Sequence, residues 1–250
     1  MEVGDLLRML RTLIVMGLGA GPLLLAADLD LPKIQVEHTE RMDFPAGGTL
    51  RLSNSLGEIT VEGWDQPGVE ITTFKSTKTA YRSGERDQAA RDLAQLRIET
   101  ERQGDQVVIT TKFPRRRGML RSWLVGAAAR VDVQYQIRVP RSARIIVDHN
   151  AGEVHVEDVA GDIHATTLQG VLLIHLPERG QYAIDAKTTL GSLVSDFPGV
   201  EKRVRLLGHR VVENTPAASQ RIYLRSGYGD ILILRRQAPP TPASLAQETK

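Results

Sequence analysis

A short unit built around a glycine recurs along this chain of 250 residues. The unit is centred on Gly57, Gly152, Gly170, Gly191 and Gly229, with a shorter copy at Gly161. The intervals from Gly152 to Gly170 and from Gly170 to Gly191 are nearly equal, and the interval from Gly191 to Gly229 is close to twice as long. A period of about 18–21 residues is too short for a domain and is typical of one coil of a repeat protein, which needs its neighbour to complete its core. The spacing therefore predicts an all-β fold, a β-solenoid (β-helix-like) with 18–21-residue coils.

The letters around each glycine suggest how one coil is built. In GEITV and GEVHV the glycine is followed by an acidic residue and then by an apolar one, Ile59 or Val154. Glycine tolerates positive φ at a corner, and alternation then turns the acidic side chain outward and the apolar one inward. Segments 152–161 and 161–170 would form the two faces of one flattened coil, with Leu173 stacked next to His155. An antiparallel sandwich with regular hairpins is the competing architecture.

Alternating apolar residues elsewhere indicate further strands. The clearest run is VDVQYQIRV, residues 131–139, in which every second residue is apolar. Strict period two is typical of a half-buried strand. One segment differs and is expected to form a short helix near 84–96 that packs on the sheet. Ser83 can cap this helix, and its apolar residues recur at helical spacing: Ala89, Ala90, Leu93 and Leu96. Residues 28–236 are then one domain, and the Pro- and Ala-rich residues 237–250 a disordered tail.

The N-terminus predicts export. Arg8 and Arg11 precede an apolar run, Leu13–Ala27, which stops at Asp28. This pattern is typical of a signal peptide spanning 1–27. A retained N-terminal anchor and a buried helix are the alternatives, although the run is short for a membrane span. Acidic residues near the start also suggest that translation begins at Met9. The predicted location is the periplasm, the cell envelope or the exterior.

Composition excludes several classes of protein. The chain has no cysteine, which rules out a disulfide scaffold and a thiol nucleophile. Its net charge is only +2 and its aromatic content 4%, so no nucleic-acid partner is expected. The chain also lacks a G-x-S-x-G elbow, an H-E-x-x-H motif and a Walker loop. No cofactor is predicted.

The strand, Val-Pro turn and glycine unit that run through YQIRVPRSARIIVDHNAGEVHVEDVAGDI resemble a known family. With the insertion GERDQAARDLAQLRIETERQGDQVVIT, they are similar to the bacterial β-strand-repeat proteins called "putative adhesins", a domain family of unknown function. The similarity runs from about Ile34 to Leu234. It implies a solenoid-like, exported or envelope-associated protein and supplies no catalytic residues.

Histidines and carboxylates are the residue types that could form a metal or catalytic site. Four histidines fall between positions 149 and 175: His149, His155, His164 and His175. His155 and His164 are expected on opposite faces of the coil, so solvated histidines are expected rather than a metal site, which needs converging ligands. The repeat itself accounts for the outward acids, Glu58, Glu153, Asp162 and Asp230. No catalytic residue and no metal ligand is therefore predicted.

The segment FPRRRGMLRSWLVGAAAR is the stretch that the repeat does not explain. Its basic and aromatic side chains are Arg115, Arg116, Arg117, Arg121 and Trp123. Arginines beside apolar residues suit an anionic membrane surface or polymer. The alternative is a long hairpin loop that covers one end of the solenoid.

These features favour a non-enzymatic, exported adhesion or interaction module that binds through an extended surface. Its partner would be an envelope component, an anionic polymer or membrane surface, or another protein. A polysaccharide-acting enzyme on a β-helix platform and a membrane-anchored sensory or scaffold domain are the alternatives.

Overall fold

The structure is a computed structural model that describes residues 35–77, 86–112, 131–178, 180–204, 208–213 and 218–236. They lie in one compact unit, Pro32–Lys250. The predicted signal peptide, the arginine-rich segment and the tail at 237–250 lie outside the described residues. No helix within the described ranges is long and apolar enough to cross a bilayer.

The described residues form fourteen strands and one helix. In chain order they are β1 (Gln35–Met42), β2 (Thr49–Trp64), β3 (Val69–Thr77), α1 (Arg86–Gln95), β4 (Arg97–Gln103), β5 (Gln106–Lys112), β6 (Val131–Pro140), β7 (Arg144–Glu157), β8 (Ile163–Pro177), β9 (Tyr182–Leu190), β10 (Leu193–Ser195), β11 (Val200–Val204), β12 (Gly208–Glu213), β13 (Gln220–Tyr228) and β14 (Ile231–Arg236). The expected all-β class is confirmed. Helix α1 lies within the expected range, and Leu96 just beyond its end joins the hydrophobic core.

Three long strands, β2, β7 and β8, pair in parallel along most of their length. Each contains a glycine with positive φ, at which the strand divides into two limbs. We call the segments before the glycine the first limb and those after it the second limb. Pairing gives the first limb the order β4-β5-β2-β7-β8-β13-β9-β12-β11, and the second limb the order β1-β3-β6-β2-β7-β8-β14-β10. This central parallel pairing is incompatible with the alternative of a plain antiparallel sandwich.

The hydrophobic core joins the two limbs. In β7 the fully buried residues are Ile145 and Val147 in the first limb and Val154 and Val156 in the second. They belong to one cluster with the inward residues of the neighbouring strands. Residues 158–162 then lead the chain from the second limb of β7 to the first limb of β8. One bent strand and its return turn thus form the repeating unit, which carries the chain from one glycine corner to the next.

The register agrees with the sequence prediction in the middle of the sheet, where His155 is opposite Leu173. The order of the last units differs. Strand β13 lies between β8 and β9, so Gly229 is placed between Gly170 and Gly191. The reason is that β12 pairs antiparallel with the edge of β9 that is farther from β8. The chain then returns, and β13 pairs with the edge of β9 that is nearer to β8. A continuous solenoid is therefore not shown, and the sheet is not closed.

The glycines of the repeat have the structural role that the sequence predicts, with one exception. Gly57, Gly152, Gly170, Gly191 and Gly229 all have positive φ. Gly161 does not; at its corner the residue with positive φ is Asp158. Gly161 is required for space instead, because a side chain there would overlap the carbonyl oxygen of Ala143.

Candidate functional site

The four histidines do not converge. Among the described residues, no three metal-binding side chains form a cluster. His155 Nε2 lies 3.2 Å from Glu153 Oε2 on the second limb, whereas the ring of His164 lies 4.4 Å from that of Tyr223 on the first. The expectation that the histidines are solvated is wrong for His149, since only 4% of it is exposed. It continues the inward row of Ile145 and Val147, a period-two signal that was readable in the sequence.

Burial controls the charge of His149. Burial lowers its pKa from 6.5 to about 4, against an opposing effect of hydrogen bonds with the backbone of Gly57 and Ala151. The imidazole is therefore neutral at pH 7. Its position beneath the glycine corner makes it a structural group of the core.

The repeat carboxylates form hydrogen bonds within the sheet. Asp162 pairs with Arg221, and Asp230 accepts the Ser192 backbone N–H at 2.7 Å. Glu58 and Glu153 are opposite each other in the register of β2 and β7. The side chain of Glu153 is 59% exposed, so this pair lies on an open sheet face and not in a cleft.

A cleft of about 460 Å³ lies between the ends of β1 and β2. Three of its polar side chains are engaged in internal contacts. Trp64 Nε1 donates to the Gly68 carbonyl oxygen at 3.2 Å, Arg102 Nε donates to that of Gly104, and Arg41 pairs with Glu70. These groups would have to exchange partners before they could bind a ligand.

A row of basic side chains crosses the outer face of the first limb. Lys187 in β9 is opposite Arg225 in β13 on one side and Arg210 in β12 on the other. Lys187 and Arg225 each lie between two buried residues of their own strands, and Arg210 precedes buried Val211, so all three point away from the core. We call these three residues the basic row. Neighbouring strands are about 4.8 Å apart, so the backbone positions of the three residues follow one another at that spacing.

One carboxylate holds both arginines of the basic row. Arg210 binds the two oxygens of Asp185 at 3.1 and 3.0 Å, and Arg225 binds Asp185 Oδ2 at 2.9 Å. Burial would raise the pKa of Asp185, but these hydrogen bonds lower it below its usual value. Lys187 forms no ion pair with any residue that the structure describes. Three cations and one carboxylate leave this patch with a net charge of +2.

Aromatic rings flank the basic row. The Arg225 guanidinium lies 3.8 Å from the centre of the Tyr223 ring, which in turn stacks on His164. Arg225 also donates to the Asp185 and Leu224 carbonyl oxygens, both at 2.8 Å. The guanidinium is thus fixed from several directions. Arg225 is therefore preorganised within this cationic patch.

Sequence reasoning missed this row. Its members come from three strands whose order in the sheet differs from their order in the chain, so no local motif reveals them. The sequence-predicted surface residues, Arg115 to Trp123, lie outside the described part of the chain and stay a prediction.

Comparison with known proteins gives only distant similarity. No family model matches the chain, and no curated protein matches it. Among solved structures, a "putative cell adhesion protein" of Clostridium sporogenes is 10% identical and covers 80% of this chain and 100% of its own, with a TM-score of 0.48. A "putative adhesin" of Bacteroides fragilis is 9% identical over 80% of this chain and 97% of its own, with a TM-score of 0.25. Another from Parabacteroides distasonis is 10% identical over 79% of this chain and 70% of its own, with a TM-score of 0.26. Membership of the adhesin-like family therefore stays a prediction.

Proposed function

We propose that this protein is a non-enzymatic, exported interaction module of the cell envelope that binds an anionic partner on the outer face of its first limb. The observation that carries the proposal is the position of Lys187 between Arg225 and Arg210. Like charges directly opposite in a sheet destabilise it. An anionic partner would offset this repulsion.

The arrangement suits an extended partner better than a small molecule. The basic row lies on an open sheet face, and its three residues come from three adjacent strands. A polymer or surface that presents several phosphates, sulfates or carboxylates can meet all three at once. Export is supported by the Arg8, Arg11 and Leu13–Ala27 pattern of the N-terminus.

The test is a binding titration with dextran sulfate, and neutral dextran as the ligand control. The variant Lys187→Glu reverses one charge of the row without removing a partner of Asp185. Arg97→Glu is the matched control, because Arg97 is an exposed residue of β4 at the far end of the same limb. We expect affinity to fall as salt rises, and Lys187→Glu to weaken binding ~10-fold while Arg97→Glu stays close to wild type. An equal loss in both variants, or no binding by wild type, would refute the proposal.

The arginine-rich segment needs a separate variant. Replacement of Arg115, Arg116, Arg117 and Arg121 by Ser leaves the basic row intact. Retained binding to dextran sulfate in this variant supports the basic row as the site. Complete loss there, with Lys187→Glu unaffected, would place the site in the segment instead.

A further inference from the structure

Three large apolar side chains are exposed at the ends of adjacent strands, where the chain turns at the glycines. Leu168 of β8 is 63% exposed, Tyr228 of β13 is 57% exposed and Leu190 of β9 is 36% exposed. Tyr228 is opposite Leu190 in the register, and Leu168 precedes Gln169, which is opposite Tyr228 on the other side. We call these three residues the corner ridge. Single exposed apolar residues are common, but a group of this kind indicates a contact surface.

The corner ridge lies further along the same strands that carry the basic row. Tyr228 follows Arg225 by three residues in β13, and Leu190 follows Lys187 by three residues in β9. At about 3.3 Å per residue, the backbone of the basic row lies roughly 10 Å behind the ridge. An apolar edge is thus bordered, on the same strands, by a patch with a net charge of +2.

This combination matches the charge and polarity of a lipid surface. Acyl chains take up aliphatic side chains and tyrosine prefers the interface. Anionic headgroups attract cations that lie further from the bilayer centre. A soluble polysaccharide would satisfy the basic row but would leave Leu168 and Leu190 in water. The ridge therefore favours a bilayer over a soluble polymer.

We propose that the anionic partner is a lipid bilayer surface, into which the corner ridge inserts while the basic row binds the headgroups. This inference rests on the proposed function, because it assigns the partner of the basic row. The occupant is a membrane containing anionic lipid, and insertion is shallow, one side chain deep. Both limbs of each strand run away from the glycine corner, so the side chains beside the corner are accessible to a flat surface.

The test compares sedimentation of the full-length protein with vesicles of phosphatidylcholine alone and with vesicles that also contain phosphatidylglycerol. The double variant Leu168→Ser with Leu190→Ser removes the aliphatic part of the ridge. Val36→Ser is the control, since Val36 in β1 is 48% exposed but far from the basic row in strand order. We expect the anionic vesicles to bind more protein, the double variant to lose ~10-fold in partitioning, and Val36→Ser to behave as wild type. Equal partitioning of the double variant and wild type would overturn the proposal.

A second readout separates this inference from the proposed function and does not depend on the N-terminal apolar segment. In the variant Tyr228→Trp, insertion predicts a blue shift of the added emission and its quenching by brominated lipids, relative to wild type in the same vesicles. Absence of both changes refutes insertion. If the ridge variants bind dextran sulfate and also partition to vesicles as wild type does, the lipid assignment fails. The proposed anion-binding function would still stand. Dimerisation through the ridge, seen as a mass change by light scattering that Leu168→Ser abolishes, would also refute the lipid assignment.

Discussion

The carbonyl oxygen of Gly152 occupies the space that a side chain on Gly170 would need. The same relationship links Gly57 with Gly152, and Gly170 with Gly229. Each bent strand therefore rests on the backbone of the one before it, at the corner that separates the two limbs. Glycine is required there for two reasons, its positive φ and the close approach of the neighbouring backbone.

Gly170→Ala tests this requirement. We expect it to lower the free energy of unfolding by about 3 kcal/mol or more, because it adds a backbone clash to the strain of positive φ. Gly104→Ala is the matched control, since Gly104 has a φ of 67° but no atom within 4 Å of an added Cβ. Only the strain remains there, at about 1 kcal/mol. Urea unfolding of both variants measures the difference, and equal losses would contradict the packing argument.

Much of this architecture was predictable, because it is local. Alternation predicted the apolar inward residues of β7 and β8 but not the inward position of His149, and the glycine spacing identified the corners with positive φ. The position of β13 between β8 and β9 was not predictable. Units that recur at the same glycine spacing look alike in sequence. No pattern in segment 196–219 predicts that β12 pairs with the edge of β9 farther from β8. The basic row depends on that order, since Arg225 meets Lys187 only because β13 lies beside β9.

Stability is expected to depend on pH through His149. Its pKa is lowered from 6.5 to about 4 in the folded state. As the pH falls below 6.5, His149 of the unfolded chain therefore binds a proton, whereas His149 of the folded protein binds one only near pH 4. The free energy of unfolding decreases between these two pH values. The loss approaches about 3 kcal/mol. Urea midpoints at pH 7, 6, 5 and 4 should show a flatter profile for His149→Gln than for wild type or the control His164→Gln. An unchanged profile in His149→Gln would exclude this group as the cause.

Asp185 restrains the basic row, so Asp185→Asn should separate stability from binding. The variant removes the carboxylate shared by Arg210 and Arg225. We expect unfolding free energy to fall by about 1 kcal/mol, since the pairs are partly exposed. Affinity for dextran sulfate should rise ~5-fold because the patch gains one positive charge. Glu99→Gln, which removes the partner of Lys112 in β4 and β5, serves as control. Weaker binding by Asp185→Asn would mean that the carboxylate takes part in recognition.

The hydroxyl groups of Thr111 and Tyr135 join the first limb to the second across the core. Their oxygens are 2.6 Å apart, and both residues are almost fully buried. Burial, opposed by this hydrogen bond, raises the pKa of Tyr135 to about 12. We expect Thr111→Val to cost about 1–3 kcal/mol, because it leaves the buried phenol without this partner. The double variant with Tyr135→Phe should cost less than the sum of the two single changes. Additive losses in urea unfolding would show that the contact does not couple the limbs.

The most direct test of anion binding by the basic row is a chemical-shift map of the isotope-labelled protein, titrated with a short, soluble fragment of dextran sulfate. Because the basic row is the proposed site, the largest shifts are predicted at the amides of Lys187, Arg210 and Arg225 and should disappear at high salt. Shifts confined to the cleft beside Trp64 or to the segment from Arg115 to Trp123, with none at the basic row, would contradict the assignment of the basic row as the binding site.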